Sequence, residues 1–88
     1  MDIRCVQEYM KDAYMRADAE RGLFKTFTWL VEEVGELGDA LLKRGRDGAA
    51  EEIADVIAWT ISIANLLDID VCQALKAKYK DLNVSCGT

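Results

Sequence analysis

A length of 88 residues leaves room for one domain with a limited core. Proline is absent, and Ala, Leu, Glu, Lys and Met are plentiful, so nothing interrupts a helical backbone ladder. The net charge of −5 argues against a nucleic-acid duplex as partner, which asks for a basic face; a nucleotide bridged by divalent cations stays open.

In chain order, the spacing of Ile3, Val6, Met10, Ala13 and Tyr14 predicts a first helix from about Asp2 to Ala17, with Asp2 as its cap. A polar joint with Gly22 as its hinge follows. The second helix is expected from about Lys25 to Arg44, with an apolar stripe of Phe27, Leu30, Val31, Val34, Leu37, Leu41 and Leu42. Gly35 and Gly38 inside it cost helix stability, which a close helix or ligand approach would offset. Gly45 to Gly48 reads as a short turn that sets the next helix antiparallel.

The third helix is expected from about Ala49 to Leu67. It is apolar around most of its girth from Ile53 onward, more than one small chain can cover. Its apolar run, with Thr60, Ser62 and Asn65 inside it, is about half a membrane span, so no membrane is expected. Asp70 and Gln73 resemble a capping box for a fourth helix reaching about Leu82, before a frayed tail from about residue 83. The expectation is an all-α, four-helix bundle over residues 1–88, completed by homo-oligomerisation as a dimer or a dimer of dimers. Cys5, Cys72 and Cys86 are odd in number and form no CxxC pair. With no signal-like segment after Met1, they read as reduced thiols of a cytoplasmic protein.

The chemistry concentrates between Glu32 and Asp55, where eight acidic residues fall. A solvated acidic face places Lys or Arg three or four residues away. Glu33, Glu36, Glu52 and Asp55 have only apolar, small or acidic residues at those positions. At about 100° per residue, Trp29, Glu33 and Glu36 share one helical face, and Glu52, Asp55 and Trp59 share another. The two faces mirror each other in sequence, so an antiparallel turn brings the four carboxylates together. Hard oxygen ligands in that number suit Mg²⁺ or Mn²⁺, and a metal pair could clamp a phosphoryl displacement. The chain has no histidine, which removes di-iron Glu-x-x-His, zinc-hydrolase and Ser-His designs.

Glu32-Glu33-Val-Gly-Glu36 followed by Glu52-Ile-Ala-Asp55 resembles the EExxE…ExxD signature of the MazG-like, all-α nucleotide pyrophosphohydrolase superfamily. The flanking Trp29-Leu-Val, Val-Ile-Ala-Trp59-Thr and Ala64-Asn-Leu-Leu-Asp-Ile-Asp70 are similar as well, from about Arg21 to Tyr79. The resemblance implies that Glu33, Glu36, Glu52 and Asp55 bind Mg²⁺, with Mn²⁺ as the other option. It also implies hydrolysis of a canonical or modified nucleoside triphosphate, between its α- and β-phosphates, to monophosphate and pyrophosphate. The purpose implied is clearing unwanted nucleotides.

Glu32 is then the candidate to orient or deprotonate water, or it is a solvent-facing glutamate. Trp59, one turn beyond Asp55, either stacks on the base or packs in the core. Lys78 either reaches phosphates from the last helix or is solvated, and Lys25 and Arg21 are further basic candidates. The tail, with its single Cys86, departs from the basic or CxxC-bearing endings of many relatives. Two alternatives stand beside this expectation: a phosphoribosyl-ATP pyrophosphohydrolase, and a non-catalytic helical interaction module.

Overall fold

The computed structural model describes residues 1–87 and contains α1 (Ile3–Arg21), α2 (Leu23–Lys43), α3 (Gly45–Leu66) and α4 (Val71–Lys78). Among these residues there is no strand, as expected of an all-α chain. No helix is long and apolar enough to cross a membrane.

α1 starts where Asp2, in extended backbone, accepts a hydrogen bond from the Cys5 N–H at 2.8 Å. It continues a full turn past the expected end and stops at Gly22. The turn between α2 and α3 is shorter than the sequence implied: Arg44 alone separates them. Gly45 makes this possible by taking φ 69°, a left-handed conformation that costs glycine little. A β-carbon at Gly48 would lie 2.5 Å from the Arg44 β-carbon, so the tight reversal needs glycine there too.

α2 and α3 form the main packed pair, α1 lies across α3, and α4 packs on α1. Asp70 caps α4 by accepting from the Gln73 N–H at 3.0 Å, as the local pattern predicts. That helix ends at Lys78 rather than near Leu82.

Three expectations are corrected. Cys72 and Cys86, read as thiols, form a disulfide across 14 positions, and only Cys5 is free and exposed. A spacing that long hides the pairing, which exists because the chain after α4 doubles back. For the same reason the tail is tied down rather than frayed, and Arg4 also reaches the Gly87 carbonyl at 3.4 Å. Gly35 and Gly38 face open space within the chain, so no close approach in it accounts for them.

The apolar stripe of α2 is largely uncovered within a single chain. Phe27, Val31, Val34, Leu41 and Leu42 are all more than half exposed, and Ile53 and Ile57 of α3 nearly so. The α2 residues most deeply buried are instead Thr26 and Ala40, at the edge of the stripe where Leu30 and Leu37 are partly covered. The buried apolar set consists of Ala40, Ala49, Ile61, Ala64 and the two disulfide cysteines, and beside it are six buried polar residues. A core this small leaves the large side chains of α2 and α3 without cover.

Candidate metal site and adjoining cleft

Antiparallel pairing of α2 and α3 sets Trp29 beside Trp59, with ring centroids 6.3 Å apart and planes inclined by 19°. One turn inward, Glu33 from α2 meets Glu52 and Asp55 from α3, with one oxygen from each within 4.8 Å of the others. The mirrored spacing of the two acidic stretches therefore has a direct structural counterpart.

The electrostatics of this cluster are unfavourable in the chain alone. Glu52 is buried, and its Oε2 has no hydrogen-bond partner. Burial raises the Glu33 carboxyl above the usual glutamate range, helped by a shared hydrogen bond with Glu52 and the charges of Asp55, Glu52 and Glu36. A proton on Glu33 would serve as the missing donor between two carboxylates; with both ionised, nothing does. A hard divalent cation answers the same need, and the donor set, all carboxylate oxygen, suits one.

Glu36 is exposed and lies outside the group of three, although its charge reaches Glu33. Glu32 is exposed on α2 and also stands apart. Lys78 is exposed on α4, outside both the carboxylate group and the cleft described below. No cation stands three or four residues from any of the four carboxylates, but Glu52 has one from further back along the chain. Arg44 Nη2 donates to Glu52 Oε1 at 2.9 Å, and Arg44 Nη1 lies 3.9 Å from Glu51. A search at helical spacing could not find Arg44, which sits in the turn eight residues earlier. The available signal was Gly48, the residue that lets Arg44 fold back.

Beside the carboxylates, α1 and α3 enclose a cleft of about 490 Å³ whose wall includes Tyr14, Asp18, Arg21, Asp55 and Trp59. Trp59 thus lines a space next to Asp55 while also packing toward Trp29. The Arg21 guanidinium lies 4.7 Å from the Trp59 ring centroid, a cation–π contact. Arg21 Nη1 also donates to Asp18 Oδ1 at 2.8 Å and to Thr26 Oγ1 at 3.3 Å. Asp18 was not singled out in the sequence, because its significance depends on α1 crossing α3.

A profile of the MazG nucleotide pyrophosphohydrolase domain matches residues 23–82, well over half of the chain. A search of curated proteins gave no match. The matched segment contains α2, the tight turn, α3 and α4, and so every carboxylate of the cluster. The chain belongs to the MazG nucleotide pyrophosphohydrolase family.

Proposed function

We propose that this protein hydrolyses a nucleoside triphosphate between its α- and β-phosphates, giving a nucleoside monophosphate and pyrophosphate. Mg²⁺ would be held by Glu33, Glu52 and Asp55, with Glu36 joining from the next turn of α2. The observation that carries this reading is the buried Glu52 Oε2, which lacks any donor and faces a carboxylate group of its own sign. Such an atom is costly unless something positive completes it.

A divalent cation bound there supplies charge neutralisation for the triphosphate and acidifies water. The chain's own groups do the rest. Arg44 fixes the Glu52 rotamer through Oε1 and leaves Oε2 for the cation. Glu32, exposed beside Glu33 and outside the group of three, would be the base that takes the proton of the attacking water. That water adds to phosphorus as the bridging P–O bond breaks and pyrophosphate leaves. The cleft lined by Tyr14 and Trp59 would receive the nucleoside, with Trp59 offering an aromatic surface to the base. A nucleotide substrate goes with clearance of unwanted nucleotides and with a cytoplasmic location, which now rests on the substrate alone because two of the cysteines are paired.

A second copy of the chain would cover the exposed Phe27, Val31, Val34, Leu41, Ile53 and Ile57, making the active form a dimer or a multiple of one. The test is pyrophosphate release from a panel of canonical and modified triphosphates and phosphoribosyl-ATP, with the particle mass read by light scattering on the same preparation. Mg²⁺-dependent release from a triphosphate, abolished by EDTA, is the expected result. Release indifferent to EDTA would overturn the metal assignment, release only from phosphoribosyl-ATP would reassign the substrate, and a monomeric mass would remove the oligomer.

A further inference from the structure

We propose that Asp18 is the residue with which the cleft reads the nucleobase, and that it selects bases bearing an exocyclic amino group over their keto counterparts. This rests on the function proposed above and adds the part of the substrate that the carboxylate cluster does not address.

Asp18 is a charged side chain only 3% exposed, in the wall of the cleft that also contains Asp55 and Trp59. Its Oδ1 is taken by Arg21, but its Oδ2 is buried and has no partner. Local donors are committed elsewhere. The Thr26 hydroxyl donates to the Gly22 carbonyl at 2.7 Å, and Arg21 is held by Asp18, Thr26 and the Trp59 ring. Arg21 therefore fixes the carboxylate's orientation without completing it. An orphaned carboxylate oxygen is tolerated in a folded protein when something else completes it. Because Asp55 belongs to the carboxylate cluster and to this wall, a nucleotide with its phosphates at the cluster has its nucleoside end in the cleft.

The class of base follows from the shape of the acceptor. Oδ2 is covered in the empty chain and has essentially no contact with solvent, so a base reaches it only by displacing what covers it. An exocyclic amine, as on adenine, cytosine or guanine, projects beyond the ring and reaches it with the least displacement. The ring N–H of uracil or hypoxanthine is flanked by carbonyl oxygen. Bringing it to the same depth presses a carbonyl against an anionic oxygen. Asp18 thus accepts from a projecting amine and excludes the keto form.

The experiment compares dCTP with dUTP and ATP with ITP, two pairs in which an amino group is exchanged for a keto oxygen, for the wild type and for Asp18→Asn. In any pair that is turned over, the wild type should favour the amino form in kcat/KM on the order of 10-fold or more, the scale of one charge-assisted hydrogen bond, expressed mainly in KM. Asparagine offers Arg21 the same oxygen but presents an amide N–H in place of Oδ2, so the preference should fall to unity or invert while hydrolysis continues. Equal kcat/KM within the pairs for the wild type overturns the inference without needing the variant to fold. A uniform loss in Asp18→Asn with the preference intact also overturns it, making Asp18 a support for Arg21 alone. Failure of the wild type to hydrolyse any triphosphate overturns the proposed function itself, a result distinct from hydrolysis without discrimination.

Discussion

Two polar clusters of this small protein, one around buried Gln7 and Asn65 and one around buried Glu52, are built on opposite principles. At the end where α1 meets α4, every group finds a partner. The Gln7 side-chain nitrogen donates to Asn65 Oδ1 at 3.0 Å and to the Ile69 carbonyl at 2.7 Å, while its oxygen accepts from the Val71 N–H at 2.9 Å. Beside it, Arg4 is paired with Asp70 at 2.7 Å. At the α2–α3 face, by contrast, carboxylates crowd together, and Arg44 satisfies only one oxygen of Glu52. Both places have a cavity beside them, and the buried polar residues at the first, Gln7 and Asn65, have already used their hydrogen-bonding capacity on one another and on nearby backbone. A satisfied buried network specifies a fold, and an unsatisfied one points to something that binds.

The sharpest way to break this contrast is to neutralise the unsatisfied side. Glu52→Gln keeps an oxygen for Arg44 but removes the buried charge that a cation would answer. Pyrophosphate release should fall by on the order of 100-fold or more, since altering even the groups that support metal ligands costs up to about that much. Its melting temperature in EDTA should hold or rise, because a repulsive buried charge has gone. Thermal scans with and without Mg²⁺ check this: the wild type should be stabilised by the ion and the variant should not. A variant that melts lower in EDTA and still responds to Mg²⁺ would mean that Glu52 is structural.

Gln7→Leu is the converse experiment. It leaves Asn65, the Ile69 carbonyl and the Val71 N–H without their partner. A cost of about 2 kcal/mol follows from orphaning such groups, which in a domain of this size lowers the melting temperature by roughly 10 °C. The Mg²⁺ response should survive intact. Loss of that response along with stability would mean that the two clusters are not independent.

The contrast also explains what could be read from the sequence. Trp29, Glu33, Glu52, Asp55 and Trp59 were legible because their spacing is local to each helix and the turn between them is short. The caps Asp2 and Asp70 were legible for the same reason. Gln7 and Asn65 are 58 residues apart, and Asp18 faces α3 from α1, so no periodicity joins either to its partner. Arg44 was missed because it acts across the turn. The α2 stripe was recognised from its period. Periodicity shows that one side is apolar; it cannot say whether the same chain or another copy covers it. The inward side of α2 carries Thr26, Glu33 and Ala40, and a hydrophobic pattern gives such residues no weight.

The satisfied cluster has one group whose contribution depends on pH. The Gln73 backbone N–H, followed by the Arg4 guanidinium, holds the Asp70 carboxyl below the ordinary aspartate range. A depressed folded-state pKa means that the ionised form is favoured by folding. Its contribution is therefore complete above the unfolded-state value of about 4 and disappears as pH falls through the lower folded value. Asp70→Asn retains an oxygen to cap α4 and removes the charge facing Arg4. Urea midpoints measured at pH 7 and then stepwise below pH 4 should fall more steeply for the wild type than for the variant, the two curves converging at the acid end. Parallel curves would mean that the Arg4–Asp70 pair adds nothing beyond the cap. In that case the stability of this end would come from the neutral Gln7–Asn65 bonds, which no proton disturbs.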